Sequence, residues 1–487
     1  MNKAAISEGS INMGYPSSEF SYSPSVAYPE YPWGGEISKE ENGVYALVRE
    51  CIHSMGYDAD HYGTSAWNPL GDFIKEGDTV LIKPNWVDHS NKNKKVHDNL
   101  ACLVTNPSVI RAIVDYVCIA LKGTGRLIIA DAPMQICDLQ KMFTIVGYDK
   151  LFSFLDRQGV KYEIADLRKY RVEEVADKVF SKPILNEGSR GVVVDMQGFS
   201  LHSEKDAKNP KYKVTDYELS NTESYHSGTK HCYEINRLPL EADVIINVPK
   251  PKTHRLAGMT AACKNFVGIT FEKASLPHRI VGNKSEGGDA YLKKSKFKEL
   301  MEYCDERKTK NSVAGNYRTA RFYWFFTKVF YVLGAIATGD KFRIGSWYGN
   351  DTIWRTSIDL NYILLHADKE GVLKDKKQRT IVSLGDMIIA GQGEGPVGPD
   401  PKPLGLIMMA DNNLLFDRVM CEIMGFNHKI FPSFHHQISL ERMGYQSFEE
   451  LNSESVFYNG WKKVCDFIEK PEWHYNAHSC WKGYIEK

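Results

Sequence analysis

No two of the ten cysteines stand in a C-x-x-C pair, so zinc ribbons and ferredoxin-type cluster loops have no support in the sequence and no iron–sulfur cluster is expected. Neither sign of charge is in excess: Lys plus Arg equals Asp plus Glu at 61 each. A nucleic-acid partner is therefore not expected, because phosphate neutralisation draws on a basic surplus. No basic segment followed by an apolar one opens the chain, which argues against a secretory leader. No apolar run reaches the roughly 20 residues of a spanning helix. The longest, RFYWFFTKVFYVLGAIATG at 321–339, is interrupted by Lys328 and Gly334. Scattered cysteines in apolar stretches fit reduced core thiols and a cytoplasmic setting. The basic and aromatic stretch reads first as a buried helix. Its second reading is peripheral membrane contact through residues 291–338.

What is present suffices for large cores. Of 487 residues, 43% are apolar and 25% charged, which excludes bulk disorder and implies more than one compact unit. Residues 79–83 read as a buried strand stopped by Pro84. Asn106-Pro107 supplies an N-cap and a first-turn proline, and Val109, Ile110, Ile113, Val117 and Leu121 recur at helical spacing. Gly123 and Gly125 end that helix, and the strand 126–130 follows, finishing at Asp131. A strand–helix–strand order of this kind signals a parallel sheet. Later apolar runs predict a strand near 160–164, a hairpin at 190–202 and a strand at 243–248 cut off by Pro249. Another strand is expected at 380–384, then a Gly/Pro loop over 390–403, then a strand at 405–410 and a helix ended by Gly425. The expected fold class is α/β, with parallel or mixed sheets flanked by helices and two α/β halves around a cleft. The expected segments are an N-terminal arm and irregular region (1–77), a first α/β region (78–290), a basic and aromatic helical insertion (291–345), and a second α/β region (346–487).

In an open α/β sheet, ligands collect beyond the carboxyl ends of the strands. The polar residues there are Lys83, Asn85, Asp131, Asn247, Lys250, Lys252, His254 and Asp386. The densest group is PKPKTHRLAGMTAACKNFVGI, residues 249–269. Its small residues allow close approach of a ligand, and Lys252 and Lys264 supply positive charge for a carboxylate or phosphate. Lys264 and Asn265 interrupt an otherwise apolar segment, which argues against simple solvation.

Four motifs carry a resemblance: KPNW at 83–86, Asn106-Pro107, the KTH-x5-T-x3-KN-x2-G run from Lys252 to Gly268, and GEGPVGP near 393–399. Together they resemble the recurring motifs of the family called domain of unknown function 362, over roughly residues 78–425. Many relatives carry ferredoxin-like cysteine loops that this chain lacks, so cluster chemistry does not carry over. The segment from His254 to Lys264 is also similar in spacing to nickel-pincer lactate racemases. That resemblance implies a covalent cofactor on Lys264, a metal-ligand role for His278 and a proton-transfer base at His254.

These readings give His254, Lys264 and His278 as catalytic candidates, and Lys83, Asn85, Asp131, Lys252 and Asn265 as substrate contacts. A divalent metal would draw on His278, Asp359, Asp386, Glu394 and Asp417. The expected partner is a small anion such as a hydroxy acid, sugar acid or phosphate ester, and the least demanding chemistry is metal-assisted proton transfer or isomerisation. The competing readings are a non-catalytic anion- or nucleotide-binding protein, a membrane-associated accessory protein, and an enzyme of cell-surface glycan assembly.

Overall fold

A computed structural model describes residues 2–96, 99–175, 180–215, 221–340, 342, 344–458 and 461–487. Eleven strands form one mixed sheet: β1 (Lys3–Glu8), β2 (Thr79–Lys83), β3 (Arg126–Asp131), β4 (Tyr162–Asp166), β5 (Val244–Asn247), β6 (Lys252–His254), β7 (Gly258–Thr260), β8 (Thr380–Glu394), β9 (Gly398–Ala410), β10 (Ser455–Tyr458) and β11 (Trp461–Lys463). Their order is β11-β10-β1-β9-β8-β5-β2-β3-β4, with β6 and β7 attached to the far end of β8. The mixed α/β class expected from the strand and helix periodicities is what is found.

Within this sheet, β4-β3-β2-β5-β8 run parallel to one another. Numbered along the chain they read 3-2-1-4-5, the order of a doubly wound sheet. The chain leaves β2 in one direction for β3 and β4, then returns to build β5 and β8 on the other side. The carboxyl ends of β2 and β5 thus flank the point where the winding reverses, where such sheets open a crevice.

Strand alternation sorts the core into two layers. Val80, Ile82, Ile129 and Ile246 face a cluster that includes helices α1 (Gly43–Ser54) and α2 (Pro107–Leu121). Leu81, Ile128 and Ile245 face the opposite layer, with Leu360, Ile363 and Leu364 of α6 (Ile353–His366). The remaining helices used below are α3 (Ala262–Asn265), α4 (Lys296–Val313), α5 (Tyr317–Thr338) and α7 (Asn413–Ile423). Asn106 caps α2 by accepting from the Ser108 amide at 2.9 Å.

The sheet is continuous across the expected segment boundaries. β1 lies between β9 and β10, so residues 3–8 are hydrogen-bonded to the last third of the chain. Tyr28 stacks on Tyr45 of α1, and Trp33 donates to Asp115 of α2 at 2.7 Å. The apolar run at 191–195 forms no local hairpin; it pairs with residues 230–236.

The expected Gly/Pro loop at 390–403 is mostly paired strand, with only 395–397 left at its tip. Pro399, Pro401 and Pro403 sit opposite Gly393, Gly391 and Ile389. Prolines two apart present the same side of the strand. Here that side is an edge, because β1 covers only Leu406–Ala410 of β9. An edge is where a strand tolerates residues without an N–H.

The 321–339 run also departs from its first reading. On α5 only Ala320, Gly334 and Thr338 are buried, while Phe322, Phe325, Val332 and Ile336 are exposed. The hydrophobic residues of α5 outnumber the positions its neighbour α4 covers. Among the described residues, no helix is long and apolar enough to cross a membrane. All ten cysteines are free thiols.

Candidate functional site

The carboxyl end of β2 is fixed by a buried ion pair. Lys83 Nζ donates to Asp131 Oδ1 at 2.8 Å and to the Pro84 carbonyl at 3.0 Å. Asp131 Oδ2 accepts from the Trp86 amide at 2.7 Å, and its Oδ1 also accepts from the Ala132 amide at 2.9 Å. The Pro84–Trp86 corner is thereby tied to the end of β3. Gly268 packs on this pair: a Cβ there would lie 2.0 Å from Asp131 Oδ1 and 2.7 Å from Lys83 Nζ, so the position tolerates no side chain. Lys83 and Asp131 hold the frame, and their polar atoms are committed to each other and to backbone.

A second set of side chains forms a buried polar chain beneath the strand ends. Lys252 Nζ donates to Asn85 Oδ1 at 2.8 Å and to the Leu103 carbonyl. Asn85 Nδ2 donates to Asn265 Oδ1 at 2.8 Å, and Asn265 Nδ2 to Asn247 Oδ1 at 2.7 Å. Asn247 Nδ2 reaches Ser383 Oγ at 2.9 Å, Ser383 donates to Asn413, and Asn413 Nδ2 donates to Asn361 Oδ1 at 2.7 Å. Asn361 Nδ2 closes on the Cys263 carbonyl at 3.0 Å. The loop after β2, the strands β5, β6 and β8, and the helices α3, α6 and α7 are thus linked around the backbone that carries Lys264. A fully satisfied buried network of this kind fixes geometry.

Asp417 of α7 completes that support. Its Oδ1 accepts from the Ala262 amide at 2.6 Å and the Cys263 amide at 3.3 Å, which caps the first turn of α3. Burial raises its carboxyl to about 7.

Above this frame lies a cavity of about 250 Å3. Its wall includes Lys252, His254, Arg255, Lys264, Lys273 and His278, with Asp131 as the single carboxylate among the described residues. Thr260, Pro396 and Val397 also line it, the last two from the tip of the β8–β9 hairpin. Its volume falls below the roughly 300–1,000 Å3 of sites for drug-sized ligands, and the balance of charge favours an anion.

The amines of this region differ in one respect that decides their roles. Lys83 is paired with Asp131, and Lys250 with Asp386 at 2.9 Å and with Tyr15. Lys252 holds Asn85, and Lys273 Nζ donates to the Ala132 carbonyl at 2.9 Å. Lys264 has no hydrogen bond or ion pair to its amine among the described residues. Burial, reinforced by Arg255, lowers it to about 8. Lys252 and Lys273 are each lowered to about 7, chiefly by burial.

The two histidines are held in opposite tautomers. His254 Nδ1 accepts from the Leu256 and Ala257 amides at 3.0 and 3.1 Å, so its proton resides on Nε2 and the neutral ring is a donor. His278 Nδ1 lies 2.9 Å from the Leu276 carbonyl and must carry the proton there, which leaves the lone pair on Nε2. Burial is the main cause of the lowered pKa of both rings, and Lys264 adds to it; His278 falls to about 3. Both are neutral at pH 7. This geometry corrects the base role given to His254: its basic nitrogen is consumed by backbone donors.

The expected metal set is not assembled. Asp359 accepts from Ser200 Oγ at 2.6 Å, the Leu201 amide at 2.9 Å and Tyr233 Oη at 3.0 Å. Asp386 serves Lys250, Tyr15 and the Asn106 amide. Glu394 faces His478 at 3.2 Å near the surface, and Asp417 is the cap of α3. Asp359, Asp386 and Asp417 lie inside their helices and strand, and each is spent on donors from other elements rather than gathered with the other two. Among the described residues, the one His/Cys/Asp/Glu group with ligand atoms within 4.8 Å of each other is Asp88, His89 and Cys137. In that group Lys92 pairs with Asp88 at 3.1 Å, and His89 Nδ1 accepts from the Asp138 amide at 3.1 Å.

For a cofactor carried covalently on Lys264, as the racemase resemblance implies, the amine is uncommitted, but the carboxylates expected to hold a metal are spent on other partners. A dinucleotide fares no better. The connection from β2 to α2, residues 84–106, contains no glycine, so it lacks the Gly-rich turn that lets a pyrophosphate approach backbone.

Arg255 and Lys273 were not singled out by the sequence. Lys273 follows the apolar stretch FVGI and is flanked by Phe271 and Leu276, a weaker form of the signal that marked Lys264. Arg255 adjoins a marked histidine, and nothing in its neighbours distinguishes it from a solvated arginine.

No curated protein and no solved structure matches the chain. The family description Domain of unknown function (DUF362) matches residues 80–188 and 186–422, a span that holds β2 through most of α7 and every residue of the cavity wall named above, and the chain belongs to that family.

Proposed function

We propose that the chain is an enzyme that moves a proton on a small anionic substrate, a hydroxy acid, sugar acid or phosphate ester. The observation that carries the reading is Lys264: an uncommitted amine with pKa about 8 at the wall of a cavity rich in cations. An amine of pKa about 8 holds about a tenth of its population in the base form at pH 7, far more than an ordinary lysine, and proton transfer is most efficient when the pKa lies close to the working pH. Its neighbours Lys252 and Lys273 are tied to protein acceptors and set a positive potential for the anion.

In the reaction, an anionic group of the substrate is drawn to Arg255 and the lysine-rich wall. The neutral amine of Lys264 takes a proton from carbon, forming the ammonium. The electron pair moves toward the substrate oxygen, which receives a hydrogen bond from His254 Nε2–H. A neutral histidine held as a donor by its local backbone is suited to stabilise an enolate-like oxygen without protonating solvent. Return of that proton from the Lys264 ammonium to carbon completes an isomerisation, with the neutral His278 ring beside it at the cavity wall. Asn85, Asn265 and Asp417 act through the positions of Lys252 and α3.

The test is a thermal-shift panel of small carboxylates and phosphate monoesters, followed by incubation of each hit in deuterium oxide. The expected result is stabilisation by one class of anion, exchange of a carbon-bound proton in that compound, and loss of exchange in Lys264→Met. Stabilisation without exchange would reassign the chain to anion binding. Exchange that persists in Lys264→Met would remove the amine from the mechanism.

A further inference from the structure

The helices α4 and α5 pack on each other as a hairpin, with Gly334 of α5 against Phe297 and Lys298 of α4. α4 is the attached member. Its Glu302 pairs with Arg279 at 2.7 Å and accepts from Tyr291 Oη at 3.0 Å, and Glu306 pairs with Lys213 at 2.6 Å. Lys298 pairs with Asp340. α5 stands on the outside of this anchored helix.

Its outward side is apolar. Phe322, Phe325, Val332 and Ile336 are 58%, 58%, 53% and 75% exposed. Spacings of three, seven and four residues put them on one face of the helix, and they follow one another along four turns. Leu333 and, from α4, Phe297 and Leu300 extend the exposed apolar surface. A continuous patch of this kind is uncommon on a protein that meets only water. The helix also carries Arg318, Arg321 and Lys328 and no Asp or Glu. Lys328 lies over the Trp324 ring at 3.6 Å. These three cations have no acidic residue on their own helix to offset them, which suits an anionic surface better than a second copy of the same basic helix.

We propose that α5 lies flat in the surface of an anionic bilayer. Apolar side chains on the outward face enter the acyl boundary, and the arginines and lysine meet lipid phosphates. At 22 residues the helix spans about 33 Å along the membrane plane. α4 joins it to the body of the protein. A groove of about 1180 Å3 runs between the hairpin and the body, and it shares Thr215 and Arg255 with the cavity that holds Lys264. The membrane surface and the cavity are thereby connected along one side of the molecule.

The experiment is co-sedimentation of the full chain with vesicles of phosphatidylcholine alone or mixed with phosphatidylglycerol. The expected result is binding to the anionic vesicles, reduced by high salt and at least tenfold weaker in Phe322→Glu/Phe325→Glu/Ile336→Glu. Hydrogen exchange of the wild type on those vesicles is expected to show added protection confined to residues 317–338, a readout that does not depend on the variant folding. Failure of the wild type to bind anionic vesicles would overturn the proposal. So would unchanged binding in the triple variant, or sedimentation velocity in which that variant turns a dimer into a monomer, since the occupant would then be a second copy.

Discussion

Replacing Lys264 with methionine is expected to make the protein more stable at neutral pH while abolishing the proposed proton transfer. The reasoning starts from the amine, which burial lowers from 10.5 to about 8. A group whose folded pKa lies below its unfolded value penalises the fold when it is charged. Between the two values the unfolded chain binds more protons than the folded one, so stability rises with pH from about 8 to 10.5. Below pH 8 the full penalty applies, on the order of 3 kcal/mol for 2.5 units. Lys264 is only half-buried as a residue, so solvent screening reduces this figure, and a gain of about 1–3 kcal/mol is expected for Lys264→Met at pH 7. Methionine is one atom shorter and keeps most of the stem packing. Urea unfolding of both proteins at pH 7 and pH 10 measures the effect. Other buried groups titrate over this range, Lys252 and Lys273 among them, so the quantity to follow is the difference between the two proteins. It is expected to be largest at pH 7 and to shrink toward pH 10. A destabilised methionine variant, or a difference that does not change with pH, would show that the amine has a partner and is structural.

Two further outcomes follow from the site. Asp417→Ala leaves the Ala262 and Cys263 amides without an acceptor, at about 1–3 kcal/mol each, whereas Asp417→Asn keeps one acceptor and is expected to cost less. The Asp417 carboxyl is raised to about 7, so the folded state holds its proton between pH 4 and 7 while the unfolded state releases it. The wild type is therefore expected to lose stability relative to the asparagine variant as pH rises through that window; parallel profiles would place the carboxyl at its ordinary value. Intact mass and metal analysis of protein from its native source are expected to give an unmodified Lys264 without stoichiometric nickel. A mass excess on Lys264 would reinstate the covalent cofactor and refute a free-amine mechanism.

Much of the frame was legible because it rests on local rules. Apolar runs ended by Pro84 and Pro249 marked the two strands that flank the winding reversal, and Asn106-Pro107 marked the start of α2. The lysine inside an apolar segment marked Lys264. What the sequence hid was pairing at a distance. Asp131, Lys83, Asn85 and Asn265 look like substrate ligands as isolated strand-end residues, yet each is spent on a partner between 45 and 182 positions away. Asp417 lies 155 residues from the amide it caps. The edge prolines of β9 disguised a strand as a loop, because their tolerance depends on β1 ending short, and β1 comes from the other end of the chain. The tautomers of His254 and His278 are likewise set by backbone groups two or three residues away, in a conformation that spacing alone does not specify.

The position of β1 has a bearing on biosynthesis. Ala4 is partnered by Ala410 on one side and Val456 on the other, so this strand is sealed only when segments made more than 400 residues later exist. At about 5–20 residues per second, some 400 intervening residues take on the order of 20–80 s to emerge. During that interval an apolar strand, AAIS, waits beside the ribosome without its neighbours. Closing so long a loop also weighs on the folding rate, as non-local pairings do in general. The central part of the sheet, β2 to β5, is contiguous within 79–247 and needs no such delay, which makes it the natural platform on which the outer strands are later assembled.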